Sequence, residues 1–119
     1  DSWLQTKLTP VLESSWFRRN GLVIITWDEG SDNSGCCGGA FGGHIATIVI
    51  TASQQEHLTT ALPLDHGGTL RTIETLYGVA PLGDAACTCS GDLTPLIPAA
   101  EPAPTPSSSL TWLTVPHRR

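Results

Sequence analysis

Gly21-Leu22-Val23-Ile24-Ile25-Thr26-Trp27-Asp28-Glu29-Gly30 is the stretch on which the fold turns. From Leu22 to Trp27 it is a continuous apolar run rich in β-branched residues, closed by glycine on one side and by two carboxylates on the other. A short apolar run with such boundaries reads as a strand buried on both faces, the usual pattern in the middle of a parallel sheet. Upstream, Trp3, Leu4, Leu8, Val11 and Leu12 recur at spacings of three and four, which predicts a helix over 2–17. Asp1 or Ser2 can cap its start. Pro10 lies inside it, so a kink or two short helices is expected. Asn20-Gly21 marks the turn into the strand.

Downstream, residues 30–43 hold six glycines and two cysteines among small polar residues, which is a loop. Ile45 to Thr51 is a second candidate for a buried strand, followed by a polar connection over 52–66. Gly67 to Tyr77 predicts a helix with Leu70, Ile73 and Leu76 or Tyr77 on one face and Gly78 as its stop. Val79 to Pro98 looks irregular. From Ala99 to Ser109 the chain is Pro, Ala, Ser and Thr, a linker without apolar content to fold, and Leu110 to Arg119 is a short tail. We therefore expect a folded part over 1–98 and a Pro/Ser-rich linker and tail over 99–119. Two buried strands cannot satisfy a sheet by themselves, because their free edges need partners. The expectation is an α/β fold that is part of a larger sheet. The chain opens at Asp1-Ser2-Trp3 and contains no Met, so we expect the protein to continue upstream.

The 119 residues carry a formal net charge of −5. Only Arg18/Arg19 and Arg118/Arg119 are adjacent basic residues, which argues against a nucleic-acid partner, since phosphate-backbone binding needs clustered Lys and Arg. No apolar run approaches the roughly 20 residues that span a bilayer. The four cysteines fall in two close pairs, Cys36-Cys37 and Cys87/Cys89. An even count in a short chain favours disulfides and an oxidising compartment, secreted or in the cell envelope. A four-thiolate zinc site is the rival, although neither pair has the usual C-x₂₋₄-C spacing.

Asp28 and Glu29 directly follow the first strand. Ligands of open α/β sheets bind outside the carboxyl ends of strands, and two adjacent carboxylates there suit a hard or borderline cation. The alternative is a solvated acidic turn. His44 follows Gly42-Gly43 and can bind metal or phosphate through a ring nitrogen, or simply start a strand. His66 stands just before the last helix, near free N–H groups that suit an anion. Its alternative is a helix-entry residue making a local hydrogen bond, with Asp65 near the cap. His57 and His117 read as surface residues. Arg71 and Glu74, i and i+3, are expected to form a surface ion pair worth about 0.3 kcal/mol.

In sum these motifs resemble a known family. Gly21 through Gly30 is similar to the strand-plus-acidic-pair motif of the bacterial phosphoesterase family, which includes acid phosphatases and phospholipase C-type enzymes of the alkaline phosphatase superfamily. Gly43-His44-Ile45-Ala46-Thr47-Ile48-Val49-Ile50 resembles that family's next strand. His66-Gly67-Gly68-Thr69-Leu70-Arg71-Thr72-Ile73-Glu74 and on to Pro81-Leu82-Gly83-Asp84-Ala85 resembles its helix and the Pro-Leu-Gly turn after it. Asp92-Leu93 fits its closing segment, and the ordered match covers roughly residues 1–97. The resemblance implies the C-terminal portion of an alkaline phosphatase-like three-layer α/β/α sandwich. It implies a phosphate-ester substrate and a divalent metal ion (zinc, manganese, calcium or iron), with Asp28 and Glu29 as metal ligands. His66 and His44 would be catalytic, binding metal or the charged phosphoryl oxygens. It also implies that the remainder of the catalytic domain lies upstream. The family's nucleophilic Ser or Thr sits in that upstream region, and Thr26 and Thr69 do not occupy its motif. A non-catalytic, disulfide-stapled surface or binding module, with 99–109 as a stalk, is the alternative from a different class. A cysteine-based zinc protein is a third.

Overall fold

The computed structural model describes residues 1–53 and 57–98. Among them are three α-helices, a two-stranded antiparallel sheet and four short 3₁₀ turns. Helix α1 spans Ser2–Glu13 and helix α2 spans Ser15–Asn20. The predicted division into two helices is present, but the break is at Ser14, which is extended, while Pro10 is carried inside α1. The Ser14 hydroxyl serves both helices: it donates to the Val11 carbonyl at 2.7 Å and accepts from Phe17 N–H at 3.1 Å. That capping bond gives α2 its start. Phe17, the one buried residue of α2, lies against Gly21.

Strand β1 (Leu22–Thr26) pairs antiparallel with β2 (Thr47–Thr51) in the register Leu22↔Thr51 through Thr26↔Thr47. This corrects the parallel arrangement expected from the sequence. A parallel pair needs a crossover connection, usually a helix. The segment between these strands supplies only a 3₁₀ turn at Cys37–Gly39 and folds back on itself through Gly30 N–H to the Gly42 carbonyl at 2.6 Å. Nor is β1 buried on both faces. Leu22 to Ile25 are half-buried and Thr26 is exposed. A two-stranded ribbon is marginal without something packed on it, and its outer edges have no strand partner among the described residues. A three-layer sandwich is not present among them.

Helix α3 spans His66–Tyr77, with Asp65 as its N-cap accepting from Gly68 N–H at 2.9 Å and Gly78 closing it in the left-handed conformation. Its buried residues are Gly68, Thr72 and Glu74, while Leu70, Ile73, Leu76 and Tyr77 are exposed. The 3.6-residue periodicity located the helix correctly but not its covered side. The backbone of Ser90–Gly91 takes the Gly68 side: a Cβ on Gly68 would stand 2.1 Å from the Ser90 carbonyl oxygen. The expected Arg71–Glu74 ion pair is also corrected. Arg71 instead donates to the Ala85 and Ala86 carbonyls at 3.0 and 3.2 Å, and Glu74 Oε1 accepts from Leu82 N–H at 3.1 Å. Backbone groups of the turn at Gly83–Ala86, which carry no intrahelical partner, outcompete a solvent-exposed pair worth little in water. The two side chains thereby clamp the segment after α3 onto the helix.

Buried hydrophobic residues among those described are Phe17, Ala85 and Leu93, whereas Trp3, Trp16, Phe41, Tyr77 and Leu82 are each more than 60% exposed. No described helix is long and apolar enough to cross a membrane. The predicted linker and tail over 99–119 lie outside the described residues.

Candidate functional site

The carboxyl end of β1, the glycine-rich loop and the start of α3 meet around a cleft of about 270 Å³. Asp28 and Glu29 reach it because β1 ends at Thr26 and the chain leaves the sheet there. His66 reaches it as the first residue of α3, whose entry is fixed by the Asp65 cap. Two of the three are joined directly: His66 Nε2 lies 2.8 Å from the Asp28 backbone carbonyl oxygen. A carbonyl can only accept, so Nε2 carries the hydrogen and donates it. In the neutral ring this leaves Nδ1 as the free acceptor. Histidines that bind metals almost always give their other N–H to such an acceptor, which fixes tautomer and ring direction. Two-bond ¹H–¹⁵N correlation spectra should therefore show His66 protonated at Nε2 when neutral, with Nδ1 unprotonated. Mixed tautomers like those of a free imidazole would remove this contact from consideration.

His44 does not line this cleft. It is exposed and borders a neighbouring groove with Thr47 and Leu62, a groove that His66 also lines. The two histidines therefore share that groove, while only His66 also lines the cleft of Asp28 and Glu29. Gly42 and Gly43, both at positive φ, turn the chain so that the His44 backbone packs on Gly30. His57 is exposed, as expected.

Sequence reading missed several residues that line the cleft, namely Ser34, Cys36, Asp84 and Ser90. Asp84 and Ser90 arrive because Arg71 and Glu74 hold their segment to α3, a clamp with no periodic signature. With Asp28, Glu29 and Asp65, Asp84 makes the lining strongly acidic, with His66 the one histidine among the lining residues. Within the loop, hydrogen bonds from the Ser34 hydroxyl and N–H hold the Asp32 carboxyl below the usual carboxylate range.

The donor chemistry of Asp28, Glu29 and His66 fits a divalent cation. The geometry goes only part of the way: among the described residues no three His, Cys, Asp or Glu side chains come together as a metal-binding group. Of the cysteines, Cys87 and Cys89 form a disulfide, and Cys36 and Cys37 are free thiols. One of the two close pairs in sequence is therefore bonded and the other is not, and no four-thiolate zinc site forms among the described residues. Comparison with protein-family models, with curated proteins and with solved structures finds no match to this chain.

Proposed function

We propose that this chain supplies the carboxylate and imidazole wall of a metal-dependent phosphoesterase, a phosphoric ester hydrolase of acid phosphatase or phospholipase C type. In this reading the protein is secreted or held in the cell envelope, and the fold is part of an alkaline phosphatase-like α/β/α sandwich. The observation that carries the proposal is the His66 Nε2–Asp28 carbonyl hydrogen bond, which joins the acidic pair to the imidazole at one cleft.

Electrostatics supports the metal requirement. Asp28, Glu29, Asp65 and Asp84 around one cleft repel a phosphate ester, so an anionic substrate gains nothing there unless a cation reverses the local sign. When bound, such a cation would polarise the phosphoryl oxygens and lower the pKa of an attacking hydroxyl. Asp28 and Glu29 would hold it through carboxylate oxygens. His66 would either contribute Nδ1 to it or set that nitrogen against the phosphoryl oxygens, with Nε2–H fixed on the Asp28 carbonyl. His44 would act from the neighbouring groove, on the substrate and not on the same ion. The remaining ligands and the nucleophile would come from the rest of the catalytic domain, which would also cover the open sheet edges and the apolar face of α3. The Cys87–Cys89 bond supports an oxidising compartment.

A second reading, a non-catalytic binding module, is favoured by the lack of a gathered three-ligand set among the described residues. Calorimetric titration of the chain with Zn²⁺ and Mn²⁺ separates the two. The phosphoesterase reading expects weak binding that falls at least about tenfold in Asp28→Ala and in Glu29→Ala. Binding indifferent to both substitutions, or none at millimolar metal, would leave the module reading in possession. With a chromogenic phosphate ester and added metal, the chain alone should give little or no turnover.

A further inference from the structure

The glycine-rich loop and the segment after α3 meet at Gly38, and all four cysteines stand around that meeting. The turn Cys37–Gly39 packs against the turn Thr88–Ser90. Gly38, at φ 61°, has no side chain to keep them apart: a Cβ there would lie 3.2 Å from Cys89 Sγ and 3.0 Å from Asp65 Oδ2. Cys36 is exposed and lines the cleft beside Gly38, Asp65 and Ser90. A free vicinal dithiol and a disulfide therefore share one small region, on two segments about fifty residues apart in sequence.

We propose that these cysteines form one thiol–disulfide exchange set, in which Cys36 displaces Cys87 from Cys89 and so ties the glycine-rich loop to the segment after α3. The Cys36 thiol gives its proton to solvent, and its sulfur attacks Cys89 Sγ. The Cys87–Cys89 bond breaks as Cys36–Cys89 forms. Cys87 leaves as a thiolate and takes a proton from water. One disulfide replaces another and two free thiols remain, so no oxidant or reductant is needed. The choice of Cys36 over Cys37 has support from their surroundings. Hydrogen bonding from Cys37 lowers the Cys36 thiol from its ordinary value, against a smaller opposing effect of the Asp65 charge. Burial, then the Cys36 partner, push Cys37 up to about 11. The consequence is a covalent latch on the wall of the cleft, independent of whether that cleft hydrolyses phosphate esters.

Trypsin makes the test direct, because cleavage after Arg19 and Arg71 puts Cys36 and Cys37 on one peptide and Cys87 and Cys89 on another. The full chain is held at pH 5, moved to pH 6, 7 or 8, quenched with acid and N-ethylmaleimide, digested without reductant and weighed by mass spectrometry. The expected result is a linked Asn20–Arg71/Thr72–Arg118 pair whose rate of appearance rises about tenfold per pH unit. The free thiol count should stay at two. Linked peptide already present at pH 5, mapped to Cys36 and Cys89, has the same meaning. Cys36→Ser should abolish the link and Cys37→Ser should leave it, while urea should scramble the pairing by removing the proximity. Peptides that separate fully after hours at pH 8, or a link that survives Cys36→Ser and is lost in Cys37→Ser, would overturn the proposal.

Discussion

Gly68→Ala is expected to cost about 3 kcal/mol, the top of the range typical of overpacking. The added methyl would meet backbone and not a movable side-chain tip. It would stand 2.1 Å from the Ser90 carbonyl oxygen and 2.8 Å from that of Gly91. Gly68 is buried and helical, so alanine has the better intrinsic propensity there by roughly 1 kcal/mol. The sign of the measured change therefore decides between local propensity and close packing. If packing wins, α3 must separate from the segment carrying Ser90, Gly91 and Leu93. Chemical denaturation followed by circular dichroism should show a lower midpoint, with faster amide exchange over 85–93 than over β1. An unchanged or raised midpoint would mean that the segment does not sit on Gly68. Gly67→Ala is a useful companion. Its Cβ would meet the Ser90 side chain at 2.9 Å and Asp65 Oδ1 at 3.0 Å, where side chains can give way, so its cost should be smaller.

Which parts of this fold were legible depends on what kind of interaction made them. Elements governed by local signals were read to within a few residues. The β-branched run Leu22–Thr26, the 3.6-residue spacing of α3 and the left-handed Gly78 all depend on neighbours in sequence. Strand direction did not yield. An apolar run has the same appearance whether its partner runs parallel or antiparallel, and the deciding fact was the fold-back of the loop from Gly30 to Gly42. The covered side of α3 was not legible for a related reason. Periodicity finds the apolar face, but close approach went to the side that lacked side chains, at Gly68. Leu70 and Ile73 were left outward, where a further surface is needed to bury them.

The site divides along the same line. Asp28 and Glu29 were placed because the end of a strand is a local feature, and His66 because the start of a helix is. His44 lines only the neighbouring groove, following two positive-φ glycines whose turn no periodic signal announces. Asp84 and Ser90 were invisible because they enter the cleft only through the Arg71 and Glu74 clamp, where side chains satisfy backbone groups of a distant turn. Cys36 fell inside the loop read over 30–43 and drew no role at the cleft. Its position beside the disulfide segment depends on Gly38, whose role is to be absent.

Thr72 is the second residue on which the segment after α3 depends, and its expected effect comes from polarity, not volume. It is fully buried, and its hydroxyl donates to the Gly68 carbonyl and accepts from Leu93 N–H, both at 2.8 Å. Leu93 is itself 1% exposed, so its N–H has no route to water while the segment is docked. Thr72→Val keeps nearly the same shape and removes the acceptor, stranding a buried donor at a cost of about 1–3 kcal/mol. The Gly68 carbonyl loses only a second partner, since a helical carbonyl can keep its own backbone bond. Thr72→Ser keeps both hydrogen bonds and loses one methyl, worth about 0.8 kcal/mol when buried. Serine should therefore be the milder change, although valine is the better match in volume and apolarity. Equilibrium denaturation of the two variants gives the order, and protection of the Leu93 amide in hydrogen exchange locates the effect. If valine were as stable as the parent, or more so, the Leu93 N–H would have another acceptor. The docking of the segment that carries Asp84 and Ser90 to the cleft would then owe nothing to this hydroxyl.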